Sequence, residues 1–188
     1  LLPLLKIGLV PDYVLSLDDN PETIVRYFTG DLSGCSQSIL AYTPIVAHSA
    51  LSLWPGRRLT MYTDESIYDE LRQSAPKAAL FVAGSVIHPA VDLAVQLGSK
   101  KVLLFGADFG FPDKYIHAND NAPINFYSNA MKAGATAESG HGRTLDTLLS
   151  FNGYRLCLQN YIEAHPGIEF VNMSKDGARI HGAHYPDG

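Results

Sequence analysis

Short apolar runs, each followed by a helical pattern, constrain this chain more than any other feature of its sequence. The runs span residues 13–17, 39–42, 59–62, 79–82, 101–105 and 168–171 and are rich in Val, Ile, Leu, Phe and Tyr. Most lack the alternation of a half-solvated sheet, as expected of strands covered on both faces. Between them lie readable helix starts. Asn20, Pro21 and Glu22 supply a cap, a proline at the first helical position and an early acid, which predicts a helix to about Phe28. Thr43 and Pro44 predict another, to about Leu53. Asp64 is expected to cap a helix over 65–74, and Gly84 and Ser85 to open one that Gly98 stops. Residues 148–164 form an amphipathic pattern through Leu148, Phe151, Tyr154, Leu158, Tyr161 and Ile162. Strands alternating with helices imply a mostly parallel sheet in a three-layer α/β/α, Rossmann-like arrangement.

At 188 residues the chain suits a single domain over 1–188. Between Gly110 and Thr147 the pattern lapses into polar sequence with two histidines, and 110–147 is read as a long lid or substrate loop. The net charge of -5 and the lack of a basic run argue against a nucleic-acid partner. No apolar stretch reaches the ~20 residues of a membrane span. LLPLLKIGLV has no charged leading region and contains Pro3, so it reads as the tail of a helix, with the true start upstream. Cys35 and Cys157 are far apart and form no CxxC, which argues against a zinc site or disulfide scaffold and for a reducing, cytoplasmic location.

In a parallel sheet ligands collect beyond the carboxyl ends of the strands, so those ends give the candidate site residues. After the first run come Ser16, Asp18, Asp19 and Asn20; after the fourth, Gly84 and Ser85, then His88. A glycine at the mouth of a helix suits a phosphate, although Ser85 also fits a plain helix cap. No GxGxxG or GxxxxGK[ST] accompanies it, so neither a dinucleotide fingerprint nor a P-loop is supported. After the fifth run come Gly106, Asp108 and the stretch to His117. Asp108 at a strand end fits a sugar hydroxyl, a metal or a base, and equally a turn cap between Gly106 and Gly110. His117 fits a general base near neutral pH, and equally an inert loop histidine. His88 reads as packing at a helix start. After the last run Asn172, Ser174 and Gly177 form a polar turn suited to a base or sugar. His181 and His184 form a close pair without a third ligand. No GxSxG elbow supports a hydrolase.

Four blocks, in order, resemble one family: LLKIGLVPDYVLSLD, VAGSVIHPAVDLAVQLGSKKVLLFGADFGF, DKYIHA and FVNMSKDGARIHGA. They are similar to the bacterial motility accessory factors, which share a domain with the archaeal 6-hydroxymethylpterin pyrophosphokinase-like proteins. The resemblance implies a sialyltransferase-like, glycosyltransferase A-type domain. It would move a nonulosonic acid (pseudaminic or legionaminic) from its CMP donor to serine or threonine of flagellin, with no cofactor required. Ser16, Asp18, Gly84, Ser85, Gly106, Asn172, Ser174 and Gly177 would hold nucleotide and substrate; Asp108 and His117 would face the reacting sugar. Such proteins carry an upstream strand and a Gly-Pro-Ser-Leu loop, and the resemblance implies that this chain starts after them. The alternative implied is an ATP-dependent pterin diphosphotransferase with Mg²⁺ on carboxylates such as Asp18 and Asp108. A non-catalytic binding module of the same fold is the third class.

Overall fold

The computed structural model describes residues 1–20, 28–112 and 134–186. The chain divides into two compact units, Leu1–Val82 and Ala83–Gly188.

In the first unit β1 (Tyr13–Ser16), β2 (Ile39–Tyr42) and β3 (Arg57–Thr60) pair in parallel, with Tyr13 opposite Ile39 and Ile39 opposite Arg57. After Met61 the same strand continues as β4 (Tyr62–Thr63), which pairs in parallel with β5 (Ala79–Leu80). Three short helices accompany them: α1 (Leu2–Lys6), α2 (His48–Ser52) and α3 (Asp69–Ser74). Leu40 of β2 is fully buried with Phe28, Leu32, Cys35, Val46, Ala50, Leu51 and Trp54, and the Phe28 and Trp54 rings meet edge to face. A Leu40→Ala change in such a core costs about 2–5 kcal/mol, through lost burial and the cavity left behind.

Two expected helix starts differ here. Thr43 and Pro44 open a turn, closed by the Val46 N–H on the Thr43 carbonyl at 3.1 Å, and α2 begins only at His48. Proline serves the second position of a turn as well as the first of a helix, so its signal was ambiguous. Asp64 caps no helix. Its Oδ1 accepts the Val82 N–H at 3.2 Å, tying the ends of β4 and β5 together, and α3 starts after a 3-10 turn over Ser66–Tyr68. The helix expected from Asn20 lies outside the described residues apart from Phe28.

In the second unit β6 (Lys101–Leu104) pairs in parallel with β9 (Glu169–Asn172), placing Lys101 opposite Glu169 and Leu104 opposite Asn172. Lys101 and Glu169 form an ion pair at 3.0 Å. Both are about half exposed, so it contributes at most about 1 kcal/mol. Ahead of β6 runs α4 (Ile87–Gln96), with Pro89 in its first turn, where no intrahelical N–H bond is lost. Gly98 ends it as expected: at φ +93 its N–H meets the Val95 carbonyl, and the Ser99 N–H meets that of Ala94.

Ahead of β9 runs α5 (Leu149–Ala164), whose Tyr161 hydroxyl donates to Asp92 of α4 at 2.7 Å. Gln96 donates to the other oxygen of that carboxylate at 2.8 Å. Burial first, and then the Asp92 bond, push the Tyr161 phenol well above its ordinary range. Of the stretch over 110–147, residues 113–133, including His117, lie outside the described residues. The described part carries an antiparallel hairpin, β7 (Ala135–Glu138) and β8 (Thr144–Thr147), joined by a turn in which the Ser139 N–H meets the Arg143 carbonyl.

Candidate active site

The carboxyl ends of β6 and β9 lie side by side and carry most of the residues singled out in the sequence. Beyond Leu104 the chain passes Phe105 and Gly106, both exposed, to the half-buried Asp108 and Phe109. Phe109 sits at φ +44, a strained value for a residue with a side chain and one that must be held by its surroundings. The hairpin supplies the hold. Thr147 Oγ1 donates to the Phe109 carbonyl at 2.5 Å, and the Phe111 N–H donates to the Asp146 carbonyl at 3.0 Å.

From the other side the turn after β9 seats Asp108. The Ala178 N–H donates to the Asp108 carbonyl at 2.6 Å. A Cβ on Gly177 would lie 2.6 Å from Asp108 Cα, so only glycine allows the two backbones this close. Asn172 shapes the turn. It is fully buried; its Oδ1 accepts the Ser174 N–H at 3.1 Å, and its Nδ2 donates to the Tyr185 hydroxyl at 3.4 Å. That hydroxyl also accepts the Ile180 N–H at 2.8 Å, and the Asn172 N–H meets the His184 carbonyl at 2.8 Å. Asn172 is thus spent on the framework, leaving the half-buried Ser174 and Lys175 as the turn's available side chains. Among the described residues nothing hydrogen-bonds the Asp108 carboxylate. This fold brings Gly106, Asp108, Asn172, Ser174 and Gly177 together.

Gly84 and Ser85 lie ahead of α4, but Ser85 does not cap it: the N-cap is Val86, with no side-chain bond. The Ser85 carbonyl works instead, accepting the His88 N–H at 3.2 Å. Gly84, at φ +83, lies against an aromatic ring, since a Cβ there would sit 2.5 Å from Cε1 of Tyr154. His88 is buried and bonded at the helix start, as its sequence context suggested.

The first unit carries the remaining candidates. Ser16 is buried, and its carbonyl accepts the Thr43 N–H at 3.3 Å. Asp18 is exposed, its Oδ1 accepting the Asn20 N–H at 2.9 Å in a local turn. Thr43, passed over in the sequence reading, is 1% exposed, and its hydroxyl has no partner among the described residues. Its position at the end of β2 was the available signal. His117 lies outside the described residues. Also missed was the hairpin tip, where Asp176 faces His141 at 3.5 Å and Arg143 at 3.7 Å.

Among the described residues no three His, Cys, Asp or Glu side chains converge on a metal position. Asp18 and Asp108 belong to different units. Among them, no helix is long and apolar enough to cross a membrane.

The family model for "6-hydroxymethylpterin diphosphokinase MptE-like" matches residues 1–114, more than half of the chain. The chain belongs to that family. No curated protein matches it. Among solved structures it is similar to the MAf glycosyltransferase from Magnetospirillum magneticum AMB-1, with a TM-score of 0.73 over 98% of this chain at 17% identity. The chain spans 28% of that protein's length. The resemblance drawn from the four sequence blocks and the Rossmann-like α/β fold with mostly parallel strands are both borne out.

Proposed function

We propose that this chain is the nucleotide-sugar module of a glycosyltransferase, moving a CMP-activated nonulosonic acid (pseudaminic or legionaminic type) to serine or threonine of flagellin. The observation carrying this reading is the seat of Asp108: a half-buried carboxylate with no partner among the described residues, on a strained loop held from both sides at the ends of two parallel strands. The likeness of nearly the whole chain to a MAf glycosyltransferase supports it. In the reaction an acceptor hydroxyl oxygen attacks the anomeric carbon, and its proton passes to a base, Asp108 or His117. The bond from that carbon to the CMP phosphate breaks, and the electron pair leaves with CMP. The 172–177 turn and the 84–85 turn offer backbone N–H groups and Ser174 to the nucleotide. The reading keeps the cytoplasmic location expected from the sequence and requires no metal.

The family's description supports a second reading, in which ATP donates its terminal diphosphate to a hydroxymethylpterin and AMP is released. Titration calorimetry with CMP and ATP separates the two. Micromolar CMP binding without ATP binding is the expected outcome. Asp108→Asn should then leave the CMP affinity unchanged while slowing sugar transfer by about 10²–10⁴-fold, the usual worth of a general base. ATP binding with pterin-dependent release of AMP would replace the first reading by the second.

A further inference from the structure

One buried group beside this site has no role in the reaction described. His88 is 1% exposed, and its ring spans two backbone carbonyls: Nδ1 lies 3.0 Å from that of Ser85, and Nε2 lies 2.9 Å from that of Tyr154. Ser85 belongs to the turn that opens α4; Tyr154 is on the second turn of α5. The 84–85 turn therefore meets α5 at two points, the imidazole and the close approach of Gly84 to the Tyr154 ring.

The same two turns of α5 also reach the Asp108 loop. The Phe151 ring lies 6.3 Å from that of Tyr154 and 5.6 Å from that of Phe111. Phe111 is 5% exposed and ends the loop that carries Asp108. A row of rings, Phe111, Phe151, Tyr154 and His88, thus connects the carboxylate loop to the 84–85 turn, with the His88 and Tyr154 rings edge to face at 6.3 Å. From these contacts we infer that His88 is a positioning residue. It pins the 84–85 turn to α5 at a fixed spacing from the Asp108 loop, so that a nucleotide held by the turn meets the carboxylate at the right distance. Its consequence for binding rests on the nucleotide-sugar reading; its effect on the turn rests on the contacts alone.

A histidine that merely filled the core would act through stability, and the molecule contains the control. Further along the same helix pair Asp92 ties α4 to α5 through Tyr161. His88→Asn retains the reach to Ser85 and His88→Gln the reach to Tyr154, so each cuts one end of the pin. A neutral imidazole donates through one nitrogen only, so amide exchange over residues 83–88 should accelerate about tenfold in the variant that cuts the donated bond, and CMP should bind that variant about tenfold more weakly, as for one buried bond lost. Asp92→Asn should lower the melting temperature and move neither quantity. Unchanged exchange in both His88 variants, or equal effects in Asp92→Asn, would overturn the assignment. Were the parent to bind ATP and not CMP, the nucleotide-sugar reading would fall while the ATP affinity still tested His88. Were it to bind neither, exchange alone would decide.

Discussion

The strand ends of the two units make an instructive pair. Both present a polar turn after a parallel strand: Ser16 to Asn20 beyond β1, and Asn172 to Gly177 beyond β9. Each contains an Asx-type bond over two residues, Asp18 to Asn20 and Asn172 to Ser174. There the likeness ends. Asp18 is exposed and its carboxylate closes a local turn, whereas Asn172 is fully buried and its side chain also reaches Tyr185, thirteen residues away. The second turn is fixed further by Gly177 against Asp108 and by the Gly140 N–H on the Gly177 carbonyl at 3.1 Å. The same local motif serves as a surface turn in one place and as part of a rigid seat in the other. Among the described residues, the second turn is set apart by the buried Asn172 side chain and the close approach of Gly177, which fix how accurately a reacting group can be held.

The sharpest way to break this contrast is at Gly177. A methyl group there would stand 2.6 Å from Asp108 Cα and 2.8 Å from its carbonyl oxygen, against backbone atoms that cannot turn aside. Gly177→Ala is expected to cost about 2–4 kcal/mol in denaturant unfolding, as overpacking against a fixed backbone does. It should also abolish whatever activity Asp108 supports. A loss under 0.5 kcal/mol would show that the seat is soft and that the two turns are held alike.

The same contrast explains what was legible in the sequence. β2 was placed at 39–42 because ILAY is apolar throughout and bounded by polar residues, and α4 because its apolar spacing and Gly98 stop are both local signals. The hairpin over β7 and β8 escaped notice because its strands, ATAE and TLDT, bury little, with only Leu145 and Thr147 of β8 turned inward. So small an apolar signal cannot be distinguished from loop. Asp108 could be marked as a strand-end carboxylate, yet the atoms that seat it come from residues 146, 147, 177 and 178, and sequence proximity carries no trace of them. Asp64 shows the reverse error: a good local capping signal was overridden by the Val82 N–H, eighteen residues on.

A single substitution made in both units gives the next test. Thr147 and Thr43 are each 1% exposed at the carboxyl end of a strand. Thr147 Oγ1 donates to the Phe109 carbonyl, whereas the Thr43 hydroxyl has no partner among the described residues. Thr147→Val strands that carbonyl and should cost about 1–3 kcal/mol. Thr43→Val replaces an unpaired buried hydroxyl by a methyl group of similar size and should be neutral or stabilising. Chemical denaturation of the two variants checks the sign. Equal losses would mean that Thr43 is bonded as well as Thr147, and the asymmetry between the units would be gone.

The smallest effect is expected at Asp18. Its carboxylate is exposed and accepts the Asn20 N–H in a local turn, so Asp18→Ala removes an interaction that water largely replaces. The expected change in unfolding free energy is within about 0.5 kcal/mol, the usual range for a surface position. Asn172→Ala, the matching change in the other unit, leaves the Ser174 N–H and the Tyr185 hydroxyl without their bonds in a buried setting and should cost several times as much. Measured side by side, the ratio of the two losses puts a number on the contrast. A ratio near one would mean that the Asp18 turn is braced by partners of its own, and the first unit would then have an equal claim to a built site.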